Sequence, residues 1–355
     1  MESCLRIRAE NFRGSVIMLL TEDDALVLAD WDADGAVSAA ILLYLQSSEI
    51  FPARRKVNMN LIPSGPRDVE RILKGIVGCP SYVALLDIAY IPEISEALKS
   101  FKERCPSSEI VYIDHHFSTL EHMRELRPLL SKHRIGGSKP TSLLLVELAH
   151  ELGKPLPERL EVFAKSIGYI EMGRRPADEM MNVVSLVASI ARALKLGKDS
   201  NFWNKMVKWM SNPIPIPMSK SDMEVLKRVN EEAKKRDEEL DRAVEDLSIG
   251  AQKLGCFRFI DARKRWKRRG VSSLATRLSR KLRCPVALLA SIKGGEILVI
   301  RTRNNAAKLI ADELIAEGFS SDVGGHGNIV IIKLRENYNL ERIKHILTRS
   351  CRFVR

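Results

Sequence analysis

Asp30-Trp31-Asp32-Ala33-Asp34-Gly35 is the stretch of this chain that most plainly invites chemistry. Carboxylates at alternate positions of extended chain point the same way. Packing three of them together is costly through mutual repulsion unless a cation lies among them. A second cluster is Asp114-His115-His116, where one imidazole can serve a metal, another a substrate, and the aspartate can orient a ring. A third is the single acid closing Leu85-Leu86-Asp87. Taken one at a time, each has a bland reading: a solvated acidic turn, surface histidines in a polar loop, a helix cap. Together they are the oxygen and nitrogen donors of a two-Mn²⁺ site, with Mg²⁺ as the alternative. Such a pair of ions clamps the attacking and leaving oxygens of a phosphoryl group and acidifies a bridging water.

The elements that must position these groups are legible around them. Residues 25–29, 82–86 and 110–113 are continuous apolar, β-rich runs, as strands buried on both faces of a parallel sheet should be. Helical patterns at about 37–46, 68–77 and 94–104 alternate with them, which predicts a doubly wound α/β layout. Each run ends in an acid (Asp30, Asp87, Asp114), at the strand ends where the ligand crevice of an open parallel sheet lies. Gly35 is expected to let the backbone turn sharply into the next helix.

From 141 to about 197 the pattern is mostly helical, and the alternating prolines of 212–217 mark a boundary. Residues 221–247 read as one long helix, polar all round at 234–239, of the kind that spaces domains. Past Gly250 comes a smaller α/β unit. It has a strand near 256–260, a helix near 272–282, a hairpin of 286–292 with 297–301, a helix at 306–317, a glycine-rich turn and a final strand at 329–334. The expected organisation is therefore a catalytic domain at 1–212, a linker and spacer helix at 213–249, and a substrate-binding domain at 250–355.

DWDADG, LLDIA and YIDHH, in this order on these strands, resemble the first three motifs of the DHH phosphoesterase superfamily. The aspartate at Asp30, where many members rely on an upstream histidine (here Leu28), resembles the RecJ-type single-strand nucleases. Gly136-Gly137-Ser138 and Thr141-Ser142 fit the segment after the third motif, and the C-terminal unit is similar to the DHH-associated domain. The resemblance implies one metal on Asp30 and Asp32, a second on Asp34 and His115, and Asp87 bridging both. It implies that Asp114 orients His115 and that His116 meets the scissile phosphate or assists the leaving group. Arg301 and His326, with Gly324, Gly325 and Asn328, would grip a flanking phosphate.

Two departures stand out. Met172 occupies the position of the fourth-motif aspartate, and Glu171, one residue early, is expected to reach the second metal in its place. The glycine-rich segment continues Gly327-Asn328-Ile329-Val330 where the family has Pro-Asn-Ala-Ala-Gly.

The net charge of +12 is unevenly spread. From Gly250 onward there are 23 Lys and Arg against 8 Asp and Glu, a balance of +15, which leaves −3 for the other 249 residues. A basic C-terminal third implies a polyanionic ligand, single-stranded nucleic acid or an oligonucleotide. Within the run 263–269, Arg265 is expected to contact the strand and Trp266 to stack on a base. A non-catalytic replisome scaffold, of the kind this fold supplies in archaea and eukaryotes, is the rival reading. A small-molecule phosphatase or cyclic-dinucleotide hydrolase is a third, weakened by the basic domain. No membrane-spanning run is expected, the first residues lack the pattern of a signal peptide, and six scattered cysteines read as reduced thiols of a cytoplasmic protein. Only two glutamines, Gln46 and Gln252, hint at a thermophilic source.

Overall fold

The computed structural model describes residues 17–354, apart from 138, 173–174, 268–269, 303, 305, 321 and 327, and only the backbone of 172, 322, 325 and 326. The N-terminal leader reading and Cys4 therefore lie outside the described residues, as do Ser138, Arg268, Arg269 and Gly327. The chain divides into two compact units, Met1–Glu231 and Glu232–Arg355.

The first unit opens with β1 (Met18–Leu19), β2 (Asp24–Ala29), α1 (Ala33–Ser47), β3 (Asn58–Pro63), α2 (Val69–Lys74) and β4 (Ile76–Val77). It continues through β5 (Tyr82–Leu86), α3 (Pro92–Arg104), β6 (Glu109–Asp114), the short helices α4 (Phe117–Glu121) and α5 (Met123–Leu126), and β7 (Lys132–Ile135). Helices α6 (Thr141–Glu151), α7 (Glu158–Met172), α8 (Met181–Gly197) and α9 (Ser200–Ser211) follow. Five strands form one parallel sheet in the order β3-β2-β5-β6-β7. The three expected strands are its centre. Alternate residues of each serve opposite faces. Val27, Ala29, Leu86 and Ile113 face α1, α6, α7 and α9, while Leu26, Leu28, Leu85 and Tyr112 face α2 and α3.

Helix α8 corrects one expectation. Asp178–Gly197 has the length and mean hydropathy (20 residues, 1.3) of a membrane span. Its Val187, Ile190, Ala193 and Leu194 are nonetheless buried in the first unit's core, so one apolar face is already used. The cysteines correct another. Cys79 is bonded to Cys105 and Cys256 to Cys351, across Cα separations of 5.4 and 5.6 Å that suit a bridge. This pairing withdraws reduced thiols as support for a cytoplasmic location.

Helix α10 (Lys220–Ile249) is 30 residues long, about 45 Å at 1.5 Å per residue. Leu226 and Val229 on its first half join the first unit's core. Val244 and Leu247 on its second half join a core of the second unit. That unit contains β8 (Gln252–Leu254), β9 (Phe257–Asp261), α11 (Val271–Leu282), β10 (Val286–Ile292), β11 (Gly295–Arg301), α12 (Ala306–Ala316), β12 (Asp322–His326), β13 (Ile329–Lys333) and α13 (Leu340–Arg349). Its six-stranded sheet runs β12-β13-β11-β10-β9-β8, and the expected hairpin is present in the register Val286↔Arg301 to Ile292↔Gly295. The glycine-rich turn expected at 324–328 is mostly strand: Gly324 pairs with Ile331, Gly325 with Val330 and His326 with Ile329.

Candidate metal centre

The first unit gathers its candidate ligands at the carboxyl ends of β2, β5 and β6. Asp32 caps α1, its Oδ1 accepting the N–H of Asp34 at 3.0 Å and of Gly35 at 3.2 Å. A side chain at Gly35 would place its Cβ 2.4 Å from the carbonyl oxygen of Asp30. The glycine is required by this close approach rather than by a left-handed turn. The Asp30 carbonyl also accepts the indole N–H of Trp203 from α9 at 3.3 Å. Asp87 closes β5 with φ +58°, a left-handed conformation that aspartate tolerates better than most residues.

The buried Asp34 carboxylate is held by the start of α6, accepting the N–H of Thr141 at 2.7 Å and of Ser142 at 2.9 Å. The Thr141 hydroxyl donates to Asp87 at 3.1 Å. Thr141 and Ser142 were legible as a motif, but their task was not, because it spans 107 residues of sequence. His115 Nε2 lies 3.3 Å from Asp87 and 3.8 Å from Glu171.

Three sets of side chains each bring ligand atoms within 4.8 Å of one another: Asp30, Asp32 and Asp87; Asp34, His115 and Glu171; and Asp87, His115 and His116. Every metal residue expected from sequence is thus in the cluster, Glu171 included. One implied role changes hands. The carboxylate of Asp114, fully buried, meets His116 Nδ1 at 2.8 Å and also accepts the His116 backbone N–H and the Thr119 hydroxyl. Because the chain folds back over Asp114 immediately after the strand, the ring it orients is that of His116, where sequence pointed to His115.

The electrostatics fit a cation. Burial, then the charge of Asp32, pushes Asp30 up to about 6. Burial likewise raises Asp34 to about 6, although the hydrogen bonds from Ser142 and Thr141 oppose it. Asp87 is driven well above the usual carboxylate range by burial and by Asp34, Asp32, Asp114 and Glu171. Glu171 rises to about 8 through burial, then Asp34 and Asp32. Acids crowded until their charges are this costly, with oxygen and imidazole donors and no thiolate, match hard divalent ions such as Mn²⁺ or Mg²⁺. For His116, burial pulls the other way, but the Asp114 hydrogen bond and charge outweigh it and raise the imidazole.

The substrate-side expectations fare differently. Trp266 is 7% exposed and packs in a core with Val244, Leu247 and Leu274, so protein covers nearly all of the indole and only a sliver of it lines the neighbouring cavity, against the expected stacking on a base. The flanking charges drew the eye, yet they are what keeps this loop wet while the indole turns inward. Arg265 donates to the Asp246 carbonyl at 2.9 Å. Lys264, Arg265 and Lys267 line a cavity of about 540 Å³ beside Arg242, Glu239 and Asp246 of α10. Arg301 ends β11 and donates to Asn328 Oδ1 at 2.8 Å, and burial and then Arg280 hold its guanidinium below its ordinary value. Gly324 is exposed on the β12 edge.

No family model and no curated protein matches the sequence. Solved structures do match. RecJ from Thermus thermophilus in complex with Mn²⁺ aligns with a TM-score of 0.58 at 14% identity over 93% of this chain. The DHH domain of a member of the s1p family of ribosomal proteins aligns with a TM-score of 0.59 at 16% identity over 93% of this chain and 86% of its own. The chain has the fold of these two proteins. A pGpG-specific phosphodiesterase of Vibrio cholerae shares that DHH fold, with a TM-score of 0.54 at 12% identity over 94% of this chain and all of its own. The present chain spans about half (52%) of the Thermus RecJ. At these identities the likeness is one of DHH architecture, and chemistry has to be argued from the site.

Proposed function

We propose that this chain is a metal-dependent phosphodiesterase that removes nucleotides from the end of single-stranded DNA, RNA or short oligonucleotides. The observation that carries the reading is the convergence of three donor sets on the strand ends of a DHH fold. Asp30, Asp32 and Asp87 would hold one ion, and Asp34, His115 and Glu171 the other. Bound there, the pair supplies an activated water and charge neutralisation at the phosphoryl oxygens. Asp114 fixes His116 through Nδ1, which leaves Nε2 to meet the phosphate or to hand a proton to the leaving oxygen. Arg301, Asn328 and the Gly324-Gly325-His326 strand are assigned to a flanking phosphate, and Lys264, Arg265 and Lys267 to the backbone further along. Mn²⁺ is the proposed ion, with Mg²⁺ second. A cytoplasmic setting, with replication or repair proteins as companions, rests on the substrate class alone.

Met172 at the fourth-motif position favours a second reading, a weakly active or inactive scaffold. Against it, a scaffold has no physical use for carboxylates held in mutual repulsion. Labelled single-stranded DNA and RNA incubated with Mn²⁺, Mg²⁺ or EDTA decide between them. Stepwise shortening with Mn²⁺ and none with EDTA is expected. Intact strands in every lane, with no divalent ion bound by calorimetry, would establish the scaffold.

A further inference from the structure

We propose that Phe117 and Leu120 form a shelf on which a nucleobase stacks when the phosphate beside it lies at the metal centre; this rests on the hydrolase reading above. Phe117 follows His116 directly and is 67% exposed, while Leu120, one helical turn on, is 44% exposed. Scattered exposed apolar side chains are ordinary on a protein surface. These two share one face of α4, three residues apart, and the opposite face is tied down. There Thr119, fully buried, donates its hydroxyl to Asp114 and accepts the backbone N–H of Tyr90 at 3.0 Å. The same threonine therefore fixes the acid that holds His116 and the helix that presents Phe117.

Both side chains also lie over the segment joining β7 to α6, where Gly137 offers bare backbone. A Cβ there would stand 3.4 Å from both Phe117 Cε1 and Leu120 Cδ2. That segment runs on to Thr141 and Ser142, which grip Asp34 and Asp87. The shelf is thus an apolar, partly aromatic surface on an anchored helix, bracketed at both ends by groups of the metal centre. Its polar surroundings suit the phosphates of a nucleotide and its face suits a planar base. Base–aromatic stacking strengthens binding measurably for each base and tolerates any sequence.

The test is a coupling measurement on the whole chain with Mn²⁺, using a ten-residue oligothymidylate and the same sugar–phosphate backbone without bases. Phe117→Ala is expected to weaken oligothymidylate binding about tenfold and the abasic backbone less than twofold, and Phe117→Trp to restore the first. Equal losses for both ligands would show a merely structural role, and no loss for either would remove the shelf; each overturns the proposal. If the wild-type protein cuts neither single-stranded DNA nor RNA with Mn²⁺, the hydrolase reading fails, yet the binding difference still decides whether the shelf takes a base.

Discussion

Asp87 is the residue at which the demands on this site conflict most. It is buried among four other acids, and its backbone sits in a region that alanine enters only at a cost of about 1 kcal/mol or more. Asparagine tolerates the same conformation, so Asp87→Asn isolates the charge. With Mn²⁺ it is expected to lower hydrolysis at least a thousandfold, about 4 kcal/mol of barrier. In EDTA near neutral pH it is expected to raise the melting temperature, because the wild-type acid must take up a proton or keep its charge among other acids on folding, and asparagine does neither. Activity within tenfold of wild type would refute the two-metal assignment. Glu171 was legible as a candidate because a carboxylate next to a missing one is worth asking about, and the structure puts it within reach of Asp34 and His115. Glu171→Gln should reduce the Mn²⁺ bound from two ions to one by calorimetry, and Met172→Asp should tighten the weaker ion. An unchanged stoichiometry in Glu171→Gln would exclude it from the ligand set. Which ring Asp114 holds was not legible, since adjacent histidines are equivalent in sequence and differ only in how the chain folds back.

At the scale of elements, the first-unit strands read from sequence are those buried on both faces. β3 and β7 were missed because they are the two edges of the sheet: half-buried, mixed in polarity, and in β3 ending on a proline. The junction of β2 with α1 shows how closely elements can determine a site. Asp30, Asp32 and Gly35 pack a strand end against a helix start with no room for one methyl group. Gly35→Ala is expected to destabilise the first unit by about 1–3 kcal/mol and to abolish Mn²⁺ binding by displacing Asp30. Calorimetric melting with and without Mn²⁺ checks both effects, and a Mn²⁺-induced rise as large as that of wild type would show that the junction adapts. The buried Trp266 teaches the opposite lesson. A basic run with one aromatic reads as a nucleic-acid grip, yet amphipathic partition of the loop produces the same pattern.

For the molecule as a whole, the charge imbalance between the N- and C-terminal parts of the sequence bears on strand binding. Neutralising Lys264, Arg265 and Lys267 together is expected to flatten the slope of log affinity against log salt by up to about 2, at roughly 0.7 per single-strand phosphate contact. An unaltered slope would move the grip elsewhere. The disulfides were not legible, because pairing depends on positions in space 26 and 95 residues apart. By loop length each is worth about 3–5 kcal/mol. The Cys256–Cys351 bond also has a topological meaning. It joins the start of the second unit's sheet to the turn just past α13, so the part of that unit from Cys256 to Cys351, its α10 portion excepted, is a covalently closed ring. A single protease cut anywhere between the two cysteines opens the ring without releasing a piece. The nicked chain should keep its mass on a non-reducing gel and part into fragments only with reductant. The same closure makes the segment from Cys256 to Cys351 a candidate for circular permutation: its two ends are already fastened together, and a new break can be placed in an exposed turn.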